Sequence, residues 1–177
     1  MLVSGRADSR AGGEFGRLGR AIVGRLFVAF VAVGLVGCGE DPVSVEFEVI
    51  EEITFAPSLN IDLAAMERRS TGVYFQDLIP GGGEEVVFGT TPTVTFTGWL
   101  ANGTEFDSGT FSFFMGGGRV IGGLEDGLLN ARAGGTRLII VPPNRGYGGQ
   151  VLTGPTGQVI VPAGSVLVFE VTVDGVG

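Results

Sequence analysis

The sequence of 177 residues contains no histidine and no lysine, and its only cysteine is Cys38. The absence of histidine removes the side chain that proteins use most often as a general base at neutral pH. One cysteine can form neither an intramolecular disulfide nor a cysteine-cluster metal site. We therefore expect a protein without a metal site or a cofactor, and the meaning of Cys38 has to come from its neighbours.

Positive charge is scarce too, because 11 arginines stand against 19 acidic residues and give a net charge of -8. Proteins that bind nucleic acids or anionic membrane surfaces present basic patches to the phosphate groups. We therefore predict no nucleic-acid partner. With 44% hydrophobic residues, the chain has room for one compact domain plus an appended segment.

Glycine, by contrast, is abundant at 33 of 177 residues. It follows no three-residue period and accompanies many valine, isoleucine and phenylalanine residues, which disfavours both a collagen-like and a disordered chain. The composition indicates a turn-rich β protein.

The first 37 residues have the order of an export signal, with arginines up to Arg25, an apolar run over 26–37 and then Cys38. The run of 12 residues is too short for a transmembrane helix, which needs about 20. The sequence LVGC at 35–38 resembles the bacterial lipobox, after which the new N-terminal cysteine carries lipid. We therefore predict lipidation of Cys38, a lipid bilayer as partner, and a place in the bacterial cell envelope, facing the periplasm or the exterior.

Two alternatives stay open for this segment: a plain signal peptide, or a tilted signal anchor in which Cys38 is incidental. The next segment, 38–70, is interpreted as an acidic tether. Val45, Phe47 and Val49 alternate there with polar residues, as in a short strand or an extended chain, and 58–66 has the signals of a short helical turn. A solvated linker explains the segment equally well. The main domain is assigned to 71–177.

Apolar residues alternate with polar ones, as in half-buried β-strands, near 73–78, 93–97 and 167–173, and an apolar run covers 137–141. The Asn-Gly pair within 101–104 favours a tight hairpin turn, followed by a further strand from Phe106. We predict an antiparallel sheet built from these strands.

One helix is predicted between the strands. Ile121, Leu124, Leu128 and Leu129 recur at helical spacing, and Gly134 stands where a helix would end. Several strands with one short helix indicate an α+β fold, in which a sheet with one apolar face covers the helix.

Five segments, in order, carry a resemblance to a known family: VTFTG at 94–98, GTEFDS at 103–108, VIGGLEDGL at 120–128, PPNRGYG at 142–148 and IVPAGSVLVFEV at 160–171. They resemble the FK506-binding-protein (FKBP) family of peptidyl-prolyl cis-trans isomerases. The resemblance implies a curved antiparallel sheet wrapped around one short helix, with a proline-binding pocket between them. It also implies proline-containing polypeptides and FK506-like macrolides as partners.

The family's pocket residues can be transferred to the matching positions. The resemblance implies that the backbone N–H of Ile121 and the hydroxyl of Tyr147 donate hydrogen bonds to the substrate, and that Asp107 orients the pocket and shapes its field without transferring a proton. The remaining implied pocket residues are Phe96, Phe106, Phe111, Val120, Leu124, Ile160 and Phe169.

The sequence departs from the family pattern at several points. Leu124 stands where much of the family has tryptophan, and Phe96 where it often has tyrosine. Only three residues separate Asp107 from Phe111, so the rim is shortened, whereas the loop 148–159 is longer and rich in glycine. Replacing an indole by leucine removes flat apolar area and an N–H donor, which predicts weaker or differently selective proline binding.

Three functions remain to be distinguished. The first is a tethered isomerase that assists the folding of exported proteins, and the second, favoured by Leu124, is a binding or chaperone module with little turnover. The third is a β-rich scaffold without a pocket, in which Phe96, Phe111 and Phe169 are core residues only. Dispersed or inaccessible Asp107, Tyr147 and Phe169 would favour this third interpretation.

Overall fold

The computed structural model describes residues 45–177. The predicted export signal at 1–37, Cys38 and the first residues of the predicted tether lie outside the described residues. Among those that are described, no helix combines the length and the apolar character needed to cross a membrane.

The centre of the fold is a six-stranded antiparallel sheet. Its strands are β1 (Glu67–Arg68), β2 (Tyr74–Ile79), β3 (Pro92–Leu100), β4 (Glu105–Ser112), β5 (Thr136–Val141) and β8 (Leu167–Val176). They lie in the order β1-β2-β5-β8-β3-β4. A two-stranded sheet of β6 (Leu152–Thr153) and β7 (Val159–Val161) lies in the long loop. The predicted α+β fold is confirmed.

Strand β8 shows why the alternation in the sequence predicted the sheet. Leu167, Phe169, Val171 and Val173 all point into one buried cluster, while Glu170 is exposed. Because side chains alternate between the two faces of a strand, this pattern assigns each residue to its face.

The hairpin between β3 and β4 is confirmed, and its turn is tight, because the Gly103 N–H donates to the Leu100 carbonyl at 2.9 Å and the Leu100 N–H donates to the Thr104 carbonyl at 2.8 Å. A two-residue type I′ turn needs positive φ at both central residues. Here Gly103 has a φ of 85° and Asn102 does not adopt positive φ. Asn102 instead accepts a hydrogen bond from the Thr104 N–H at 2.9 Å.

The predicted helix is present as α1 (Gly122–Leu128), with Leu124 and Leu128 buried and Ile121 at its N-cap. The prediction that Gly134 ends it was wrong. The chain leaves the helix at Leu129, and Asn130 follows with a φ of 65°. Asparagine adopts this left-handed conformation more readily than most residues, so it can end a helix where glycine usually does.

Both faces of the central strands are apolar, whereas the sequence analysis predicted a sheet with one apolar face. Ile139 of β5 belongs to the cluster beneath α1, whereas its neighbour Ile140 belongs to a second cluster on the opposite face. The uninterrupted apolar run at 137–141 reflects this burial on two sides.

The second face is covered by the segment assigned from sequence to the tether. Ile50 is buried there, and two 3₁₀ turns at Pro57–Leu59 and Leu63–Ala65 carry further apolar side chains onto the sheet. The predicted helical turn is thus two short turns, and the second is capped by Asp62, whose side chain accepts from the Ala64 N–H at 3.0 Å.

The alternating stretch at 45–49 forms no strand. Glu48 attaches it to the domain, because its N–H donates to the Gly164 carbonyl at 2.9 Å and its carboxylate accepts from the Val166 N–H at 2.6 Å. Phe47 is half exposed. Residues 45–66 therefore pack on the domain, whereas the predicted boundary at 70 separates the two.

Candidate functional site

A cleft of about 490 Å³ opens between α1 and the face of the sheet beneath it. It is lined by Phe96, Asp107, Phe111, Gly118, Arg119, Val120, Ile121, Leu124, Tyr147 and Phe169. Two glycines let the helix approach β5 closely, because a Cβ built on Gly123 would overlap Val141 and one built on Gly127 would overlap Ile139.

Size alone does not single out this cleft, since a cleft of about 590 Å³ lies beside Phe55, Ile61 and Gln76. The aromatic lining of the cleft beneath α1 distinguishes it from the other. Apolar walls with a few converging polar groups are typical of sites that bind small or extended ligands.

The rings on the sheet side form a continuous cluster around Phe96. Its ring centroid lies 5.4 Å from that of Phe111, with the planes nearly perpendicular at 89°, and 6.3 Å from that of Phe169. Edge-to-face contacts of this kind are favourable and orient the rings. Leu124 of α1, which is 4% exposed, closes the cleft on the helix side.

Phe106 stands next to this cluster but does not line the cleft. Its ring meets that of Phe169 edge to face, with centroids 5.6 Å apart. Gly98 makes room for the contact, because a Cβ there would lie 2.8 Å from Phe106 and 3.0 Å from Phe169. Ile160, on β7, does not line the cleft either. The structure therefore brings eight of the ten predicted pocket residues together and leaves these two outside.

Tyr147 is positioned by the 3₁₀ turn that precedes it, at Pro143–Arg145. The guanidinium of Arg145 pairs with the carboxylate of Asp126 on α1, at 2.7 Å from Nη2 and 2.9 Å from Nε. The Gly148 N–H closes the loop on the Pro143 carbonyl at 2.8 Å. An ion pair to the helix therefore holds the loop that carries the phenol.

The phenol of Tyr147 is kept neutral. Burial raises its pKa above the ordinary value, and the charge of Asp107 raises the pKa further. A neutral phenol retains the O–H that donates a hydrogen bond. Asp107 is exposed on β4 and accepts from the Ser108 N–H at 2.9 Å.

Ile121 offers a second donor to the cleft. Its carbonyl accepts from the Leu124 N–H at 3.0 Å, whereas its own N–H has no acceptor within residues 45–177. An unpaired backbone N–H is a strong donor for a ligand carbonyl. The loop before it is held by Glu125, which accepts from the N–H groups of Gly116 at 3.2 Å and Gly118 at 3.3 Å.

The cleft has no set of metal ligands. In the part of the chain that the structure describes, histidine, cysteine and acidic side chains form no group of three or more that could hold a metal ion. The cleft offers aromatic rings, one phenol, one backbone N–H and the charged side chains of Asp107 and Arg119.

Comparison with known proteins identifies the family. Residues 82–174 match the family of FKBP-type peptidyl-prolyl cis-trans isomerases. The chain belongs to this family. Over 105 residues it is 37% identical to an FK506-binding protein of Neisseria meningitidis serogroup B. The matched region covers 56% of this chain and 92% of that protein.

Solved FKBP structures agree with the fold. The crystal structure of AtFKBP13 matches with a TM-score of 0.57 and 30% identity, over 62% of this chain and 97% of that one. FkpA from Escherichia coli matches with a TM-score of 0.54 and 32% identity, over 63% of this chain and 51% of that one.

Several residues of this FKBP cleft were missed from the sequence. Gly118 and Arg119 line it, while Glu125 and the Arg145–Asp126 pair hold its loops. Arg119 directly precedes the Val-Ile pair of the family segment at 120–128, and this adjacency could have indicated that Arg119 lines the cleft. The contacts of Glu125 and Arg145 depend on how helix and loops fold together, which local patterns do not contain.

Proposed function

We propose that this peptidyl-prolyl isomerase acts on exported polypeptides while it is tethered to a bacterial membrane through Cys38, and that catalysis takes place in the aromatic cleft. One observation carries the assignment of the site. Three phenylalanine rings, the neutral phenol of Tyr147 and the Ile121 N–H, which has no acceptor among residues 45–177, meet around one cleft.

The chemical task is rotation about the imide bond that precedes proline. Amide resonance resists this rotation with a barrier of about 18–20 kcal/mol. When the bond is half rotated, resonance is lost and the carbonyl carries less charge separation than in the planar forms. An apolar cleft with little water therefore disfavours the planar ground state more than the transition state, which lowers the barrier.

The rings of Phe96, Phe111 and Phe169 form the wall against which a proline ring packs in this proposal. Leu124 supplies the floor with a smaller and more flexible surface than an indole. We expect proline binding that depends mainly on the three rings, with a modest contribution from the floor.

Two donors hold the substrate. The Ile121 N–H and the Tyr147 hydroxyl each donate to a peptide carbonyl and keep the chain in the turned shape that the transition state shares. Asp107 faces the same cleft and contributes a negative field that orients these groups. No proton has to move, because the reaction makes and breaks no covalent bond.

The tether follows from the first forty residues. Two or more acyl chains on a cysteine anchor a protein stably, where one would not. Uncatalysed isomerisation of X-Pro bonds takes about 10–100 s. An anchored isomerase would therefore assist polypeptides that fold after export. We also expect FK506-like macrolides to compete with proline peptides for the cleft.

The site is tested by exchange NMR on a blocked Leu-Pro peptide, using the full chain in detergent and its Tyr147→Phe and Asp107→Ala variants. We expect wild type to accelerate the cis-trans exchange and both variants to slow it. Binding without acceleration would instead indicate a binding or chaperone module, and full activity of both variants would overturn the assignment of the cleft.

The anchor is tested separately in a bacterial host that processes lipoproteins. We expect wild type to sediment with membranes and its mature N-terminus to carry acyl chains by mass spectrometry, while Cys38→Ala is soluble or unprocessed. An unmodified Cys38 in the mature protein would refute the tether and leave the isomerase site untouched.

A further inference from the structure

Arg119 differs from the other arginines that the structure describes. Each of the others pairs with a carboxylate or a backbone carbonyl: Arg68 with Glu51, Arg69 with Leu129, Arg132 with Glu85, Arg137 with Asp77 and Arg145 with Asp126. Arg119 has no ion pair and no side-chain hydrogen bond among residues 45–177. Its charge is therefore available for a ligand.

The location of Arg119 gives this charge a role. The residue is exposed, lines the cleft, and precedes the donor Ile121 by two positions. Its backbone is held in place, since Glu125 on α1 accepts from the neighbouring Gly118 N–H. Because the backbone beside Arg119 is held in place, its long side chain can extend toward a ligand in the cleft from a defined position.

The cleft also contains the opposite charge. Asp107 lies on β4, and no ion pair within 4.0 Å joins it to Arg119. The cleft therefore presents a cation and an anion that do not neutralise each other. The chain as a whole is acidic, with a net charge of -8, so its long-range field repels an acidic substrate. Arg119 supplies a local attraction at the cleft.

We propose that Arg119 is a specificity-determining residue that favours substrates with an aspartate or glutamate next to the isomerising proline. This inference rests on the proposed cleft as the active site. An exposed ion pair contributes about 0.2–1 kcal/mol, so the preference should amount to roughly 1.5- to 5-fold in kcat/KM. It should weaken with added salt, which screens exposed charges.

The test compares blocked peptides that differ only beside the proline: Glu-Pro against Gln-Pro, and Pro-Glu against Pro-Gln. Exchange NMR gives the rate without a coupling protease, whose own charge preference would bias the result. For the full chain in detergent at low salt, we expect the glutamate peptide to be the better substrate in at least one pair. Equal rates in both pairs would overturn the proposal.

Variants assign the preference to the side chain. Measured within each variant as the ratio of the glutamate rate to the glutamine rate, the preference should persist in Arg119→Lys, be abolished in Arg119→Gln and be reversed in Arg119→Glu. Arg132→Gln is the matched control, because it removes the same charge away from the cleft and should leave the preference intact. A preference that survives in Arg119→Gln, or is lost equally in Arg132→Gln, would refute the role of Arg119.

The Leu-Pro peptide separates this inference from the proposed active site. Acceleration of Leu-Pro that is reduced in Tyr147→Phe, together with equal rates for the glutamate and glutamine peptides, would reject the role of Arg119 and leave the cleft in place. Leu-Pro rates unaffected by Tyr147→Phe would reject the cleft itself.

Discussion

The two faces of the central sheet are covered in different ways. On one face the short helix α1 lies close to β5 and leaves a cleft beside it, while on the other face residues 50–66 seal the sheet with irregular chain and 3₁₀ turns. Ile139 and Ile140 are both fully buried, one beneath each cover. Burial by itself therefore does not distinguish a residue that supports the site from one that only stabilises the fold.

The comparison is tested most strongly by Ile139→Ala and Ile140→Ala. Each removes a buried side chain, and we expect each to lower the free energy of unfolding by about 2–5 kcal/mol in denaturant titrations. Only Ile139 contacts the helix, at Gly127. We therefore expect Ile139→Ala to reduce kcat/KM in the folded protein and Ile140→Ala to leave it near the wild-type value. Equal loss of activity in both would contradict the division between the faces.

The next largest effect concerns the cleft alone. Tyr147→Phe removes one donor, and a hydrogen bond worth about 0.5–1.5 kcal/mol predicts a loss of roughly 2- to 12-fold in kcat/KM with little change in stability. Because the pKa of this phenol is raised, the donor stays protonated below its ordinary pKa of about 10. We therefore expect no loss of wild-type activity from phenol ionisation between pH 6 and 9. A decline there that Tyr147→Phe abolishes would show that the phenol ionises early.

A third substitution tests how much Leu124, which forms the floor of the cleft, contributes to binding. Leu124→Trp enlarges the flat apolar surface at the helix side of the cleft, and an aromatic contact of about 0.5–1.5 kcal/mol predicts roughly 2- to 12-fold tighter binding of a proline peptide. Leu124 is 4% exposed, so the larger ring should also cost about 1–3 kcal/mol of stability through overpacking. Calorimetric titration and thermal unfolding measure the two effects, and Leu124→Met serves as the control of similar volume.

The smallest effect belongs to the sealed face. The Tyr74 hydroxyl donates to Glu51 at 2.7 Å, and this bond, followed by a backbone hydrogen bond and the charge of Arg68, lowers the pKa of Glu51. Since the folded pKa is depressed, the stabilisation is present above the unfolded value of about 4.3 and disappears as pH falls through the folded pKa.

Glu51 is largely exposed, so solvent screens the interaction. We expect Tyr74→Phe to lower stability by less than about 1 kcal/mol at neutral pH, to have a smaller effect near pH 3, and to leave isomerase activity unchanged. Denaturant titrations at the two pH values check this. An effect of Tyr74→Phe that grew on acidification would contradict the sign of the linkage.

The strands were predictable because their signal is local. Alternation along β3 and β8 places each side chain on a face whatever lies opposite, and the five family segments predicted eight of the residues that line the cleft. The end of α1 was harder to predict from the sequence. Both Asn130 and Gly134 can adopt the left-handed conformation that ends a helix, and only the packing of the following chain decides which of them does so.

The register of Phe106 could not be predicted from the residue pattern alone. In the pairing of β3 with β4, Gly98 faces Asp107 and Trp99 faces Glu105, so Phe106 is the extra residue of a bulge. A bulge redirects its side chain and leaves no clear trace in the residue pattern. The Phe106 ring packs edge to face on Phe169 beside the cleft, and its contact with a bound proline stays a prediction.

The sequence by itself determined the strands, the existence of the short helix and membership of the isomerase family, because alternation, helical spacing and ordered motifs are properties of neighbouring residues. Only the tertiary structure decided that residues 50–66 cover the second face of the sheet and that Arg119, at the cleft, has no ion pair within the described part of the chain. Both depend on contacts between residues far apart in the chain, and the free energy of such contacts is set by the packing of whole elements.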